Sequence, residues 1–154
     1  TEVKELKAFY EAEEYHQERL ERKEERIKIA IKNVLKSTTY PITEENIILI
    51  FRERGRIYQI SEEHSLPLNI YDLSGKLLIT SEGNFIDDTI DKKLSNVIID
   101  TLGSLYNKRY LEKSEKNGDK FLSSFTYISD SRAHPLGVLN LPYIEDDGLI
   151  TREL

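Results

Sequence analysis

The stretch Phe121–Tyr143, FLSSFTYISDSRAHPLGVLNLPY, decides the fold. Two apolar, β-prone runs, Phe121–Ile128 and Leu136–Leu141, flank a polar turn at Ser129–Pro135. Read with a period of two, Phe121, Phe125 and Tyr127 share one face of the first run, and Leu139, Leu141 and Tyr143 share one face of the second. The pattern predicts a long antiparallel hairpin forming the last two strands of a sheet. Asn140 and Pro142 are expected to end its ladder, since proline has no N–H to donate. The residues upstream must then supply the rest of the sheet and something to cover it.

Working outward, Leu68–Leu73 (LNIYDL) and Leu77–Ser81 (LLITS) enclose Ser74-Gly75, a turn between two strand-like runs and so a first hairpin. Arg109–Glu115 reads as a further strand, entering the final hairpin through Asn117-Gly118. Between the hairpins, Glu82–Asp91 is a polar loop, and 91–107 is helical with Leu94, Val97, Ile98, Leu102 and Leu105 near one face. Thr1–Ser37 has no proline or glycine and reads as one long helix. From Ile27 on, Ile27, Ala30, Ile31, Val34 and Leu35 recur at helical spacing and should pack on the domain. The charged stretch before them should project into water or meet a partner helix; Leu6, Tyr10, Leu20, Ile27, Ile31 and Val34 permit a dimer stalk. A second helix is expected from Thr43 to about His64, with Gly55 in its middle. Five antiparallel strands covered by helices make an α+β domain with a helical extension: a stalk over 1–37, a core over 41–144 and an exit over 145–154.

With 154 residues, 38% of them hydrophobic, the chain can build one core. A net charge of −6, with no basic stripe, argues against nucleic acid as partner. No run reaches the roughly 18 apolar residues that a membrane span needs. The chain opens on Thr1 without a signal-peptide pattern, which is simplest for a piece of a longer protein. The absence of cysteine removes disulfides and thiolate chemistry and leaves the compartment open.

NIYDLSGKLLITS, with its Asp-x-x-Gly turn, and FLSSFTYISDSRAHPLGVLNLPYI resemble the first and closing hairpins of the extracytoplasmic Cache (PDC) sensor domains of bacterial histidine kinases, a PAS-like fold. The two stretches cover about a third of the chain, and LGVLNLPY is the most specific part. The resemblance implies a single Cache-type sheet, a membrane helix on either side of the chain in the whole protein, and an extracytoplasmic, periplasmic location. It also implies a small ligand held between the sheet and the covering segment Glu82–Tyr110, with Ser123, Phe125 and Tyr127 facing it. Citrate- and dicarboxylate-binding relatives are expected to carry a basic residue near Ser123; serine here removes that route, and Arg109 is a substitute. The turn Ser129–His134 lacks the family's glycine, so its conformation should differ.

His16, His64 and His134 share no metal-ligand spacing and are expected at the surface. Asp87, Asp88 and Asp91 lack a calcium-loop pattern, and Asp146-Asp147-Gly148 reads as an acidic linker. No nucleophile elbow, Walker or dinucleotide glycine pattern occurs, so neither catalysis nor a cofactor is expected. Tyrosines on strands can line a cavity and orient a ligand through their hydroxyls. The expected ligand-binding set is Tyr71, Arg109, Tyr110, Ser123, Phe125, Tyr127 and Asn140. The expected function is a signal-input domain, dimeric through its first helix. Its alternatives are an interaction module whose cavity is packed shut, or the same fold serving a chemoreceptor or cyclase.

Overall fold

A computed structural model of the chain describes residues 2–82, 90–104, 109–116 and 118–145. Helix α1 spans Glu2–Ser37. A short 3-10 turn leads into α2 (Ile47–Arg52), and α3 (Arg56–His64) follows. The first hairpin is β1 (Asn69–Tyr71) and β2 (Leu77–Thr80), then come α4 (Asn96–Ser104), β3 (Arg109–Lys116), β4 (Asp119–Ser129) and β5 (Pro135–Ile144). The five strands form one sheet of order β2-β1-β5-β4-β3, and every pairing is antiparallel. This is the expected α+β architecture.

Strand β5 lies at the centre, bonded to β1 and β4, and is buried from Leu136 to Leu141. Its odd residues Leu139, Leu141 and Tyr143 join Leu122, Ile128 and Ile70 on one face, under α1. α1 covers that face with a stripe of buried positions, His16, Leu20, Glu24, Ile27, Ile31, Val34 and Leu35, spaced by threes and fours. The packed stretch therefore begins eleven residues before Ile27. It is not legible as an apolar stripe because two of its members are His16 and Glu24. α2 and α3 close the same core with Ile47, Ile50, Phe51, Ile57 and Ile60.

Three local features differ from the sequence expectation. The Thr43–His64 helix is broken, because Arg54 and Gly55 are both left-handed (φ 56° and 64°). Second, β5 runs through Pro142 to Ile144. Glu145 N donates to Lys120 O at 2.8 Å, so by alternation the Pro142 nitrogen points away from β4, on the side where β1 has already ended opposite Asn140. Proline costs no ladder bond there. Third, α4 starts at Asn96 rather than Asp91, and Val97 is 63% exposed while Leu94, Ile98 and Leu102 are buried. Leu105 and the aspartates at 87 and 88 lie outside the described residues, as do 146–154.

Of the three hairpin turns, those between β1 and β2 and between β4 and β5 are each built on an aspartate. In the β4–β5 turn, Asp130 Oδ1 accepts from the N–H groups of Arg132 and His134, each at 2.9 Å. Ala133 takes the left-handed position (φ 64°) for which the sequence lacks a glycine. In the β1–β2 turn, Asp72 Oδ1 accepts from Ser74 Oγ (2.7 Å), Ser74 N (3.0 Å) and Lys76 N (2.9 Å). Gly75 is left-handed (φ 97°), and a Cβ there would press on Leu94 and Ile99 at 3.3 Å. The turn therefore also seats the segment before α4.

Burial alone would raise the Asp72 carboxyl, but hydrogen bonds from the Ser74 hydroxyl and from the Lys76, Ser74 and Gly75 N–H groups outweigh it and hold it below the ordinary carboxylate range. A depressed folded-state value stabilises the fold above the unfolded carboxyl value of about 3.9, and that stabilisation is lost as pH falls through the folded value. Asp72→Ala should therefore lower the urea midpoint at pH 7. The gap from the wild type should narrow below about pH 4 as the carboxyl protonates. An unchanged gap between pH 7 and pH 3 contradicts this.

Candidate functional site

The second face of the sheet has a different chemistry. The first face is mainly apolar, with Ser124 and Thr126 of β4 as its buried polar strand positions, whereas the alternate positions on the second face carry Asn69, Thr80, Glu112, Ser114, Ser123 and Asn140. Aromatic and aliphatic residues on this face, Tyr71, Phe125 and Val138, pack with Leu94, Ile98 and Leu102 from α4 and the residues before it. Between them is a cleft floored by Asn69, Ser123 and Asn140, with Glu112 and Ser114 of β3 along one wall and Ile90, Asp91 and Leu94 along another.

Its polar floor is wired together. Thr80 Oγ1 donates to Asn69 Oδ1 (2.6 Å), Asn69 Nδ2 to Asn140 Oδ1 (3.1 Å), and Asn140 Nδ2 to the Ser124 carbonyl (3.2 Å). The bonds run across β2, β1, β5 and β4 and fix both amides in place. They satisfy groups whose burial would otherwise cost about 1–3 kcal/mol each. Tyr71 OH donates to the Asp91 carbonyl at 2.6 Å, tying β1 to the covering segment. Burial, and then the negative charge of Asp91, push the Tyr71 phenol above its ordinary value, so it stays a proton donor. Leu77 N–Lys92 O (2.9 Å) and Leu94 N–Gly75 O (2.8 Å) hold the same segment to the first hairpin.

The cleft volume is about 30 Å³ in this conformation, room for one or two waters. Among its described lining residues two are acidic, Glu112 and Asp91, and none is basic. Such a site presents amide and hydroxyl groups and a carboxylate. It therefore matches hydroxyl-bearing or cationic groups better than a carboxylate.

Four of the seven residues singled out in the sequence, Tyr71, Ser123, Phe125 and Asn140, line this cleft. Tyr110 and Tyr127 lie on the same face beside it. The Tyr110 ring is 6.1 Å from that of Phe125, and Tyr127 packs with the Leu102 cluster. Asn69, Glu112, Ser114 and Asp91 were not expected. Glu112 and Ser114 alternate with Leu111 and Lys113 in β3, so the period-two pattern that identifies the strand could also have placed them.

Arg109 is the correction. It stands on the α1 face, where its Nη2 and Nε lie 2.8 and 2.9 Å from Glu24 Oε2, a fork on a carboxylate whose side chain is 3% exposed. His16 is a second correction: instead of lying at the surface it is 1% exposed, with Nδ1 3.1 Å from Tyr143 OH. His64 is half-buried and His134 is exposed, 3.3 Å from Asp130. Among the described residues no cluster of three or more His, Asp or Glu could hold a metal ion, and no helix is long and apolar enough to cross a membrane.

Removing one member of a buried, forked ion pair leaves an uncompensated charge. Lys28 Nζ remains 3.5 Å from Glu24 and softens the loss. Arg109→Ala should therefore cost about 3 kcal/mol in urea unfolding, the low end of the range for buried pairs. Lys113→Ala, which breaks the exposed pair with Glu13, should cost less than about 1 kcal/mol. Equal costs would contradict the assignment of Arg109 to the core.

No protein-family model matches the chain, and no curated protein matches it. Solved structures do. A domain of a sensory box/GGDEF family protein from Vibrio parahaemolyticus superposes with a TM-score of 0.52 at 13% identity, over 89% of this chain and 57% of that one. The sensor domain of the V. cholerae histidine kinase DctB gives a TM-score of 0.46 at 15% identity, over 84% of this chain and 54% of that one. The chain thus spans a little over half the length of each neighbour. At these identities the likeness is one of fold alone, and the superposition on the Vibrio parahaemolyticus domain carries it.

Proposed function

We propose that this chain is the sensing input domain of a membrane-anchored signalling protein, with its ligand site in the cleft on the second face of the sheet. The observation that carries the reading is the asymmetry of the two faces. One is packed against α1 by a mainly apolar cluster; the other sets Asn69, Asn140, Ser123 and Glu112 under a covering segment. A face serving only as core has little use for a linked row of amides and hydroxyls, because buried polar groups need partners to be tolerated. The fold shared with a sensory box domain supports the same reading.

The ligand we propose is small and polar, carrying hydroxyl or amine groups, and is held by Ser123, Asn140 and Tyr71 with Phe125 against its apolar part. Tyr110 and Tyr127 lie within reach should the cover shift. Opening the cleft beyond 30 Å³ requires the segment from Ile90 to α4 to move, and that is the signal. Asn140 faces the cleft while its neighbours Leu139 and Leu141 press on α1, and Tyr143 of the same strand meets His16. A shift of β5 is thus felt by α1 along its length. Only a ligand that favours one of two arrangements can drive such a shift, and sliding or rotation of packed helices is a known transmitting movement. The reading further holds that the whole protein is a periplasmic-facing kinase dimerised through α1, whose first residues Val3 and Leu6 are 76% and 55% exposed. Its catalytic part would lie outside this chain.

The 30 Å³ volume favours one second reading, an interaction module that takes no small ligand and signals through a partner protein. A thermal-shift screen of amines, polyols and carboxylates separates the two. On the sensing reading, an amine- or hydroxyl-bearing compound at a hundred times its dissociation constant adds about 2.7 kcal/mol of stability. Glu112→Leu or Ser123→Val should then remove that gain while leaving the unliganded protein folded. A screen in which no compound shifts the transition, or in which both variants respond like the wild type, contradicts the sensing reading.

A further inference from the structure

Among the described residues there is a cavity larger than the cleft. On the opposite side of the sheet, between the second half of α1 and the β4–β5 turn, lies a trough of about 730 Å³. Its floor and walls are Ile31, Leu35, Ile42 and Leu139, and its rim on α1 carries Lys28, Lys32 and Lys36, one helical turn apart. That volume is within the 300–1,000 Å³ of typical small-molecule sites, and an apolar lining with a few convergent polar groups is their usual composition.

The charge around the trough runs against that of the chain. The protein has 28 acidic and 22 basic residues, yet this rim holds three lysines against one aspartate. Lys28 is engaged by Glu24 at 3.5 Å. Lys32 and Lys36 have no ion pair among the described residues, and Lys36 sits in the last turn of α1. The single carboxylate, Asp130, is turned into its own loop, accepting from Arg132 N and His134 N and lying 3.3 Å from His134 Nδ1. What remains is two ammonium groups, without an ion pair among the described residues, beside an apolar channel.

We propose that this trough binds a small amphiphilic anion, an aliphatic carboxylate whose chain lies over Ile31, Leu35 and Leu139 and whose head group meets Lys32 and Lys36. Each half of the ligand then answers one half of the site. The apolar half supplies affinity in proportion to chain length, and the lysines supply selectivity for charge. The site is independent of the cleft on the other face.

The test is a calorimetric titration of the chain with hexanoate, octanoate and decanoate below their micellar concentrations, with decanol and acetate as controls. Affinity should rise roughly fourfold per added methylene as apolar surface is buried. Decanol should bind at least about tenfold more weakly than decanoate, and acetate not measurably. Lys32→Gln/Lys36→Gln, whose folding is checked by circular dichroism, should weaken decanoate about tenfold and leave decanol unchanged. Equal binding of decanol and decanoate, or an affinity flat with chain length, overturns the proposal. So does the absence of binding together with a concentration-dependent dimer that the double variant abolishes, which would give this face to a second copy of the chain.

Discussion

Strand β5 has to satisfy two neighbours and two faces at once, and the rest of the molecule follows from how it does so. Being central, it donates and accepts along both edges, to β1 and to β4. A one-residue slip would exchange Leu139 and Leu141 for Val138 and Asn140 and bring a polar amide under α1. The register is held in place by packing and by a specific contact. Gly137 lets β1 approach so closely that a Cβ would stand 2.9 Å from the Tyr71 carbonyl. Asn140 meets Asn69 side chain to side chain across the same pair of strands. A buried amide pair of this kind contributes less to stability than apolar packing of equal size, but it is satisfied in one register only.

That division lets a small domain hold a core and a polar site back to back. The first face joins α1, α2 and α3 to the sheet through a continuous cluster of mainly aliphatic side chains, with Phe51 and Tyr143 among them. The polar contacts there, Glu24 with Arg109 and His16 with Tyr143, lie where α1 crosses β3 and the end of β5. The second face has a smaller cluster and depends on hydrogen bonds from backbone and side chains to keep its cover in place. Contacts of that kind open at lower free energy than a packed helix, as a site that must admit something from water requires.

Much of the fold was legible because local signals and tertiary structure agree. The two hairpins, the third strand and the long first helix each carry a pattern that no other element satisfies. What was lost was lost for identifiable reasons. His16 and Glu24 continue the buried stripe of α1 with polar side chains, and hydrophobic periodicity cannot see them. Arg54 adopts a left-handed backbone that nothing in an arginine announces, so the break between α2 and α3 was marked only by Gly55. Arg109 is different, since the information was present. Tyr110 stands opposite Phe125, and alternation along β3 then sends Arg109 with Leu111 to the far side. Chemistry that suits a carboxylate ligand drew it to the wrong face. Asn69 was passed over because it lies inside an otherwise apolar strand, where a polar residue marks either an error of register or a site.

The central claim is that α1 from residue 16 to 35 and β5 form one cooperative unit, with the sheet firmly packed along that contact and yielding on the other face. Native-state hydrogen exchange, resolved by residue, tests this most directly. The account predicts that amides of α1 between Leu20 and Leu35 open with the same free energy as those of β5 between Leu136 and Leu141, both at the global value, while the 90–95 segment and α4 open well below it. An α1 that exchanges like a free helix while β5 stays protected, or a cover as protected as the centre of the sheet, would contradict it.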